Sequence, residues 1–372
     1  MNPNAPTVGF HSPLPPARTG VADYSAALLG ALRWFGPVEA DARQADVHLY
    51  HLGNNQLHRG IYQRALTQPG VAVLHDAVLQ HFFLGSLDES QYIEEFTFNY
   101  GNWHRDTARD LYRRRAASAA DARYFAFPML KRIAETSRAV IVHNGGAARM
   151  VRDHAPHARV IEIPHLFDPP PLPSAAEALR FRQRLGIPSC AFLLGVFGYL
   201  RESKRLLRIL RAFASAHRER PNIYLLLAGD FVSSDLARAA EPLLHHTGIR
   251  RLPYVPERDF WLAAASVDAC INLRYPAAGE TSGIVIRLMG MAKPVLVTAG
   301  PEVSAFPETA CLRIDPGIAE TAALRDYIIF LASFPQVAGE IGRRGAGHIA
   351  SQHSVGRVAE LYWKVLCEHG RS

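Results

Sequence analysis

The feature that most constrains this chain is an alternation, repeated along its length, of short apolar runs with amphipathic stretches of helical period. In the first half the runs are TVGFHS (7–12), VHLYHL (47–52), VAVLHD (71–76) and AVIVHN (139–144), with GVADYSAALLGALRWF (20–35) among the stretches between them. In VAVL and AVIV the apolar residues are consecutive, which suits strands covered on both faces, and strands of that kind separated by helices predict an α/β fold with a parallel sheet. Over 163–188 the rhythm stops. Pro169, Pro170, Pro171 and Pro173 stiffen a connector there, and Ser174 opens the next helix.

The alternation then restarts. AFLLGVFG (191–198), NIYLLLAGD (222–230), RLPYV (251–255), DACINLRY (268–275), KPVLVTA (293–299) and ACLRID (310–315) read as strands, with KRLLRILRAFASAHRE (204–219) and PERDFWLAAAS (256–266) as helices. Two Rossmann-like halves follow: a first domain over 1–168, a second over 175–352 and a closing helix over 353–372. A chain of 372 residues with 48% apolar content is long enough for two such cores. No repeat of roughly 20 to 50 residues marks a solenoid. No apolar run approaches the roughly 20 residues of a membrane span, and no charged-then-apolar leader is present, so a cytoplasmic location is expected.

Cys190, Cys270, Cys311 and Cys367 are widely spaced with no Cys-x-x-Cys pair, which points to reduced thiols rather than a zinc site. The net charge of +7 favours an anionic partner such as a nucleotide, a phospholipid surface or a nucleic acid. No stacking-aromatic or zinc motif supports nucleic acid, which is not expected as a partner.

Open α/β sheets bind ligands beyond the carboxyl ends of their strands, so the loops there carry the candidate chemistry. One strand ends at Gly198, and Tyr199, Arg201, Lys204 and Arg205 follow beside a helix start, where cations and free amides suit a pyrophosphate. A solvated helix start has the same composition. In LRYPAAGETSGIVIRL (273–288), Arg274 and Glu280 precede a second helix opening at Thr281, Ser282 and Gly283. Those residues could present hydroxyls and amides to a sugar or phosphate, and Glu280 could accept from sugar hydroxyls or stabilise positive charge at a reacting carbon. A simple helix cap with an acid in its first turn reads the same way.

In the first half, the proline-stiffened loop of FHSPLPPARTGVADYS (10–25) leads into a helix at Thr19, Gly20, Asp23 and Tyr24. That loop could close over an acceptor or over phosphates, or Thr19 could merely cap the helix. His75 and Asp76 directly follow a buried strand. His81 is nearby, but no compact third ligand accompanies it for a metal.

Taken in order, SPLPPARTGVADYS, VLHD, FGYLRESKRL and NLRYPAAGETSGIVIRLMGMAKPVLVT resemble bacterial retaining glycosyltransferases of family four, over nearly the whole chain. The resemblance implies the GT-B fold, with two Rossmann-like domains facing across a cleft and a C-terminal helix that crosses back to the first. It implies that the second domain holds a nucleoside diphosphate sugar, UDP- or GDP-linked, and that Lys204 binds its diphosphate. Glu280 takes the place of the first Glu of the family's Glu-x7-Glu motif at the donor sugar, and His75 that of its histidine near the transferred sugar. The sequence departs from the pattern at Leu288, Tyr199, Pro301 and Ala305. Arg201 or Arg205 could then supply the missing phosphate cation, since a long guanidinium side chain reaches around a turn.

The expected reaction is metal-independent transfer of a hexose, with retention, to a hydroxyl of a saccharide or lipid-linked saccharide in bacterial surface polysaccharide or glycoconjugate synthesis. The basic stretch 105–133 could rest on anionic lipid at the inner face of the cytoplasmic membrane, or form a solvated helix face. The alternatives are a GT-B phosphorylase or epimerase, and a catalytically weak subunit that binds a nucleotide or saccharide.

Overall fold

The computed structural model describes residues 5–17, 19–253 and 255–370. Arg18 in the proline-stiffened loop and Tyr254 in the expected strand RLPYV lie outside the described residues. The chain forms two compact units. The first comprises Met1–Asp168, Pro276–Thr281 and Gln352–Ser372, and the second comprises Pro169–Tyr275 and Ser282–Ser351.

The first unit is built on six parallel strands: β1 (Val8–His11), β2 (Val38–Ala40), β3 (Val47–Leu52), β4 (Val71–Leu74), β5 (Ala139–Val142) and β6 (Val160–Glu162), in the order β2-β1-β3-β4-β5-β6. Register pairs such as Phe10↔Leu49, Tyr50↔Ala72 and Val73↔Ile141 hold it together. Side chains alternate across a strand, so each apolar run feeds two cores at once. Val71, Val73, Ala139 and Ile141 enter one core with Val8, Phe10 and Leu28, while Ala72, Leu74, Val140 and Val142 enter the other with Phe82, Phe96 and Ile133. Strands with apolar residues on both faces need cover on both. The helix Val355–His369 supplies part of it, placing Val358, Tyr362 and Leu366 in the first of these cores.

The second unit repeats the plan with β7 (Phe192–Phe197), β8 (Ile223–Ala228), β9 (Ile249–Leu252), β10 (Ala269–Asn272), β11 (Val295–Thr298) and β12 (Leu312–Ile314), in the order β12-β11-β10-β7-β8-β9. The helix Leu206–Glu219 turns Leu206, Ile209, Leu210 and Phe213 onto this sheet, a spacing that gives one apolar stripe. The helix Ala175–Arg184 begins at Ser174, whose hydroxyl accepts from the Glu177 amide while the Glu177 carboxylate accepts from the Ser174 amide, the reciprocal cap that its sequence spacing allows.

Three strand assignments differ from the sequence reading. The edge strands β2 and β6 are additions to it; each has three residues, too few to show a period. The ninth strand ends at Leu252 instead of spanning RLPYV, because Pro253 has no amide to donate to a ladder.

A buried polar contact joins the closing helix to the rest of the first unit, in addition to the exposed Arg159–Glu368 ion pair and the Arg138 guanidinium donating to the His369 carbonyl. The hydroxyls of Tyr24 and Tyr362 meet at 2.9 Å, wholly buried. Either Tyr24→Phe or Tyr362→Phe leaves the other hydroxyl buried without a partner and should destabilise the protein by about 1–3 kcal/mol. The double variant should lose clearly less than the sum, as read by urea denaturation of all four proteins.

Candidate functional site

In the second unit the chain runs outward from β7 to β9, returns to β10 and runs outward the other way, so the loops leaving β7 and β10 diverge at adjacent strands. Ligand crevices of open α/β sheets form at this kind of switch point. Gly198 leaves β7 with φ 79°, and a Cβ on it would lie 3.2 Å from Lys204 Nζ. The neighbouring Gly229 allows a still closer approach, since a Cβ there would fall 2.3 Å from the Gly198 carbonyl oxygen. Lys204, 6% exposed, donates from Nζ to the Phe197 carbonyl. Burial, with the charges of Arg274 and Arg201 beside it, holds its pKa well below the ordinary lysine range.

The loop leaving β10 is fixed by its backbone. The Arg274 amide donates to Thr298 Oγ1 at 2.9 Å and the Tyr275 amide to the Ser203 carbonyl at 2.7 Å. Ser282 caps the helix Gly283–Gly290 by accepting from the Val285 amide at 3.4 Å, and the Arg274 guanidinium lies 3.5 Å from the same hydroxyl. Leu288, in that helix, is buried. Tyr199 is exposed, with the Arg201 guanidinium 5.9 Å from its ring centre.

The two arginines considered for a phosphate separate here. Arg205 makes a two-pronged ion pair with Glu320, which also takes Arg208 at 3.1 Å, and the Glu320 side chain is fully buried. A buried carboxylate holds its partners tightly because their loss would strand its charge, so Arg205 serves that pair and is not placed as a phosphate ligand. Arg201 is exposed.

In the first unit, the strand ends carry histidines. His11 closes β1, His51 lies one residue before the end of β3, and His75 and His143 directly follow β4 and β5. His75 Nε2 and His51 Nδ1 are 2.9 Å apart, and the His75 ring lies 5.1 Å from that of His143 and 4.9 Å from that of Tyr24. Burial and the surrounding rings push the pKa values of His51 and His75 well below 6.5. Burial also lowers His143 to about 4, and His11 reaches about 4 through burial and the nearby Arg64 and His48. Of these histidines the sequence reading singles out His75 alone. The signal it passes over is a histidine at the end of each apolar run of the first half.

The segment Pro276–Thr281 belongs to this unit. The Ala77 amide donates to the Ala278 carbonyl at 2.8 Å, and Asn144 Nδ2 donates to both the Gly279 carbonyl and Thr281 Oγ1 at 2.9 Å. Gly279 has φ 70°, and a Cβ on it would meet Ala77 Cβ at 2.6 Å. Glu280 Oε2 accepts from the Ala278 amide at 2.7 Å, which turns the carboxylate back on its own loop. Asn144 is missing from the sequence reading, because only the fold brings it to this segment.

The remaining expected residues take structural places. Thr19 caps the helix Gly20–Leu32, accepting from the Val21 amide at 3.4 Å. Gly20 is exposed, and a Cβ on it would meet nothing within 4 Å, so no close approach requires a glycine there. Asp23 is exposed in the first turn of that helix. Tyr24, expected at an acceptor loop, instead points into the core to reach Tyr362. Asp76 accepts from the Asn54 amide at 2.9 Å and shapes the loop after β3. Among the described residues no group of three or more His, Cys, Asp or Glu side chains could hold a metal ion. Nor is any helix among them long and apolar enough to cross a membrane.

No family model matches the chain, and no curated protein matches it in sequence. Its fold matches solved structures. HepE of Anabaena, solved in complex with UDP and glucose, aligns with TM-score 0.68 at 15% identity, over 98% of this chain and 100% of that one. Sucrose-phosphate synthase from Thermosynechococcus elongatus gives 0.67 at 15%, over 97% and 99%. WaaG, a glycosyltransferase involved in lipopolysaccharide biosynthesis, gives 0.64 at 15%, over 96% and 99%. With its two six-stranded parallel sheets, the chain has the GT-B fold.

The buried histidines fix a pH dependence. A histidine whose folded pKa lies below its unfolded value gives full stability above about pH 6.5, and stability falls below that because the unfolded chain takes up protons first. Between pH 7 and 5.5 each such ring should cost roughly 1 kcal/mol. Urea midpoints measured across that range should fall, and His143→Phe should flatten the slope.

Proposed function

We propose that this protein is a glycosyltransferase that moves a hexose from a nucleoside diphosphate sugar to a hydroxyl of a saccharide or lipid-linked saccharide, with retention at the anomeric carbon. The observation that carries this reading is Lys204. It is a buried lysine at the switch point of the second sheet, its ammonium so close to Gly198 that a Cβ there would crowd it, with Arg201 and Arg274 near enough to depress its pKa. Cations gathered this way suit a diphosphate, and HepE of Anabaena was solved with UDP-glucose, which makes UDP the first nucleotide to test.

In the reaction the bond between the anomeric carbon and the diphosphate oxygen breaks as the acceptor oxygen bonds to that carbon on the same face. The acceptor proton passes to the departing diphosphate. Lys204, Arg201 and the amides at the start of the helix Gly283–Gly290 stabilise the charge that builds on the diphosphate, the role a divalent ion would otherwise fill, so the reaction proceeds without metal. Glu280 orients the sugar and His75 contacts its hydroxyls. A second reading, a subunit that binds the nucleotide sugar but turns it over weakly, is favoured by Leu288, which puts a buried apolar side chain where the family's second acid would stand.

Calorimetry against UDP, GDP, ADP, dTDP and their hexose conjugates, with chelator present, tests the proposal. One sugar nucleotide should bind selectively, and Lys204→Met should weaken it at least about tenfold, the loss of one charge-assisted contact. Absence of binding by all of them would overturn the reading, and binding without product would favour the second.

Lys204 adds a pH test. An anion raises its pKa from the depressed free value, so the complex holds more proton than the free protein. Binding should take up protons, seen as a dependence of the heat on buffer ionisation enthalpy, and should weaken as pH rises from 7 toward 10. Lys204→Met should abolish the uptake.

A further inference from the structure

We propose that His51 fixes the tautomer of His75, so that His75 presents an N–H donor at Nδ1, and that His75 acts on its ligand as a hydrogen-bond donor and not as a base. The inference rests on the reading above, in which His75 contacts the sugar, and it assigns the kind of contact.

The argument is a count of protons on ring nitrogens. A neutral imidazole carries one proton, on one of its two nitrogens. His75 Nε2 and His51 Nδ1 are 2.9 Å apart, so one donates and the other accepts. The other nitrogen of His51, Nε2, is buried with no hydrogen-bond partner among the described residues. A proton there would be a buried orphan donor, which proteins rarely tolerate, whereas a bare lone pair costs less. The nearby rings offer no relief. His58 and His143 each give Nδ1–H to a carbonyl, of His51 and Ile163, and neither Nε2 has a hydrogen-bond partner among the described residues.

The proton of His51 therefore sits on Nδ1 and is donated to His75 Nε2. That leaves His75 with its own proton on Nδ1, the nitrogen that has no hydrogen-bond partner among the described residues, on a half-buried side chain. The contrast with His11 shows that neighbours set each tautomer. At His11, the Arg64 guanidinium lies 3.3 Å from Nδ1 and favours a proton on Nε2, toward His48, while Asp41 Oδ1 at 3.6 Å from the same Nδ1 pulls the other way. Burial keeps the His51 and His75 rings neutral near pH 7, the condition under which the count applies.

A donor at His75 Nδ1 selects an oxygen with a free lone pair, such as a sugar hydroxyl. It cannot take a proton from an acceptor hydroxyl, because its one lone pair is already occupied by His51. His51 is thus a positioning residue, acting on the sugar only through His75.

The test is a long-range proton–nitrogen correlation spectrum of the full-length, nitrogen-15-labelled protein at pH 7, with His75 and His51 signals assigned by loss in His75→Gln and His51→Gln. Both rings are expected to be neutral with a protonated Nδ1 and a pyridine-like Nε2. A His75 protonated at Nε2, or at both nitrogens, overturns the proposal, and the unmutated spectrum alone decides this. In His51→Asp a carboxylate oxygen takes the place of the Nδ1–H donor, and the His75 proton should move to Nε2 to donate to it. Affinity for UDP should then stay within about twofold, while the extra affinity that the glucose of UDP-glucose confers should fall about fivefold, the size of one neutral hydrogen bond. An unchanged glucose increment would sink the positioning role. Failure of the unmutated protein to bind any sugar nucleotide would instead count against the transferase reading and leave the tautomer result standing, so the two failures are distinguishable.

Discussion

A parallel sheet must be covered on both faces, and most of this structure follows from that requirement. Its strands come as unbroken apolar runs, because Val71 and Val73 serve one core while Ala72 and Leu74 serve the other. The helix Val355–His369 lies far along the chain yet covers part of one face of the first sheet, and the buried Tyr24–Tyr362 hydrogen bond accompanies its apolar packing. With both faces closed to water, polar chemistry is left to the strand ends. That is where His11, His75 and His143 stand in one unit and Gly198 and Arg274 in the other.

The two candidate regions hold titratable groups in forms that water would not favour. Burial depresses the pKa of Lys204 and of the strand-end histidines alike, but to different ends. For Lys204 the depressed value means that, in the proposed reading, an arriving anion must restore the charge, and the cost of that restoration makes affinity fall as pH rises. For His51 and His75 neutrality lets each ring carry a single proton whose place the neighbouring nitrogen decides. Glu320 makes the opposite case, for its burial is answered within the fold by Arg205 and Arg208, and the cluster is structural.

Much of the fold is legible in the sequence, since a strand buried on both faces writes itself as a run of apolar residues and a covering helix as an apolar stripe. Short edge strands such as Val160–Glu162 are not, because three residues carry no period. The candidate site is legible in part. Lys204, Glu280 and His75 stand out as candidates in loops after strands, but Arg205 cannot be told from Arg201, as they are close in the same loop and only the distant Glu320 separates them. Thr19 and Tyr24 look like loop chemistry, yet one caps a helix and the other is core.

The sequence by itself determined the order of strands and helices, the stiff proline connector and the strand-end positions of its polar residues, because these depend on local periodicity and on the conformational limits of proline and glycine. The tertiary structure alone decided which polar residues meet. His51 on one strand meets His75 just beyond the end of its neighbour, Asn144 reaches Gly279 and Thr281 from far away in the chain, and Tyr24 finds Tyr362. Such pairings rest on which strands lie side by side and which helix covers which face, and those choices are made by packing across the whole unit and not by any stretch of sequence within it.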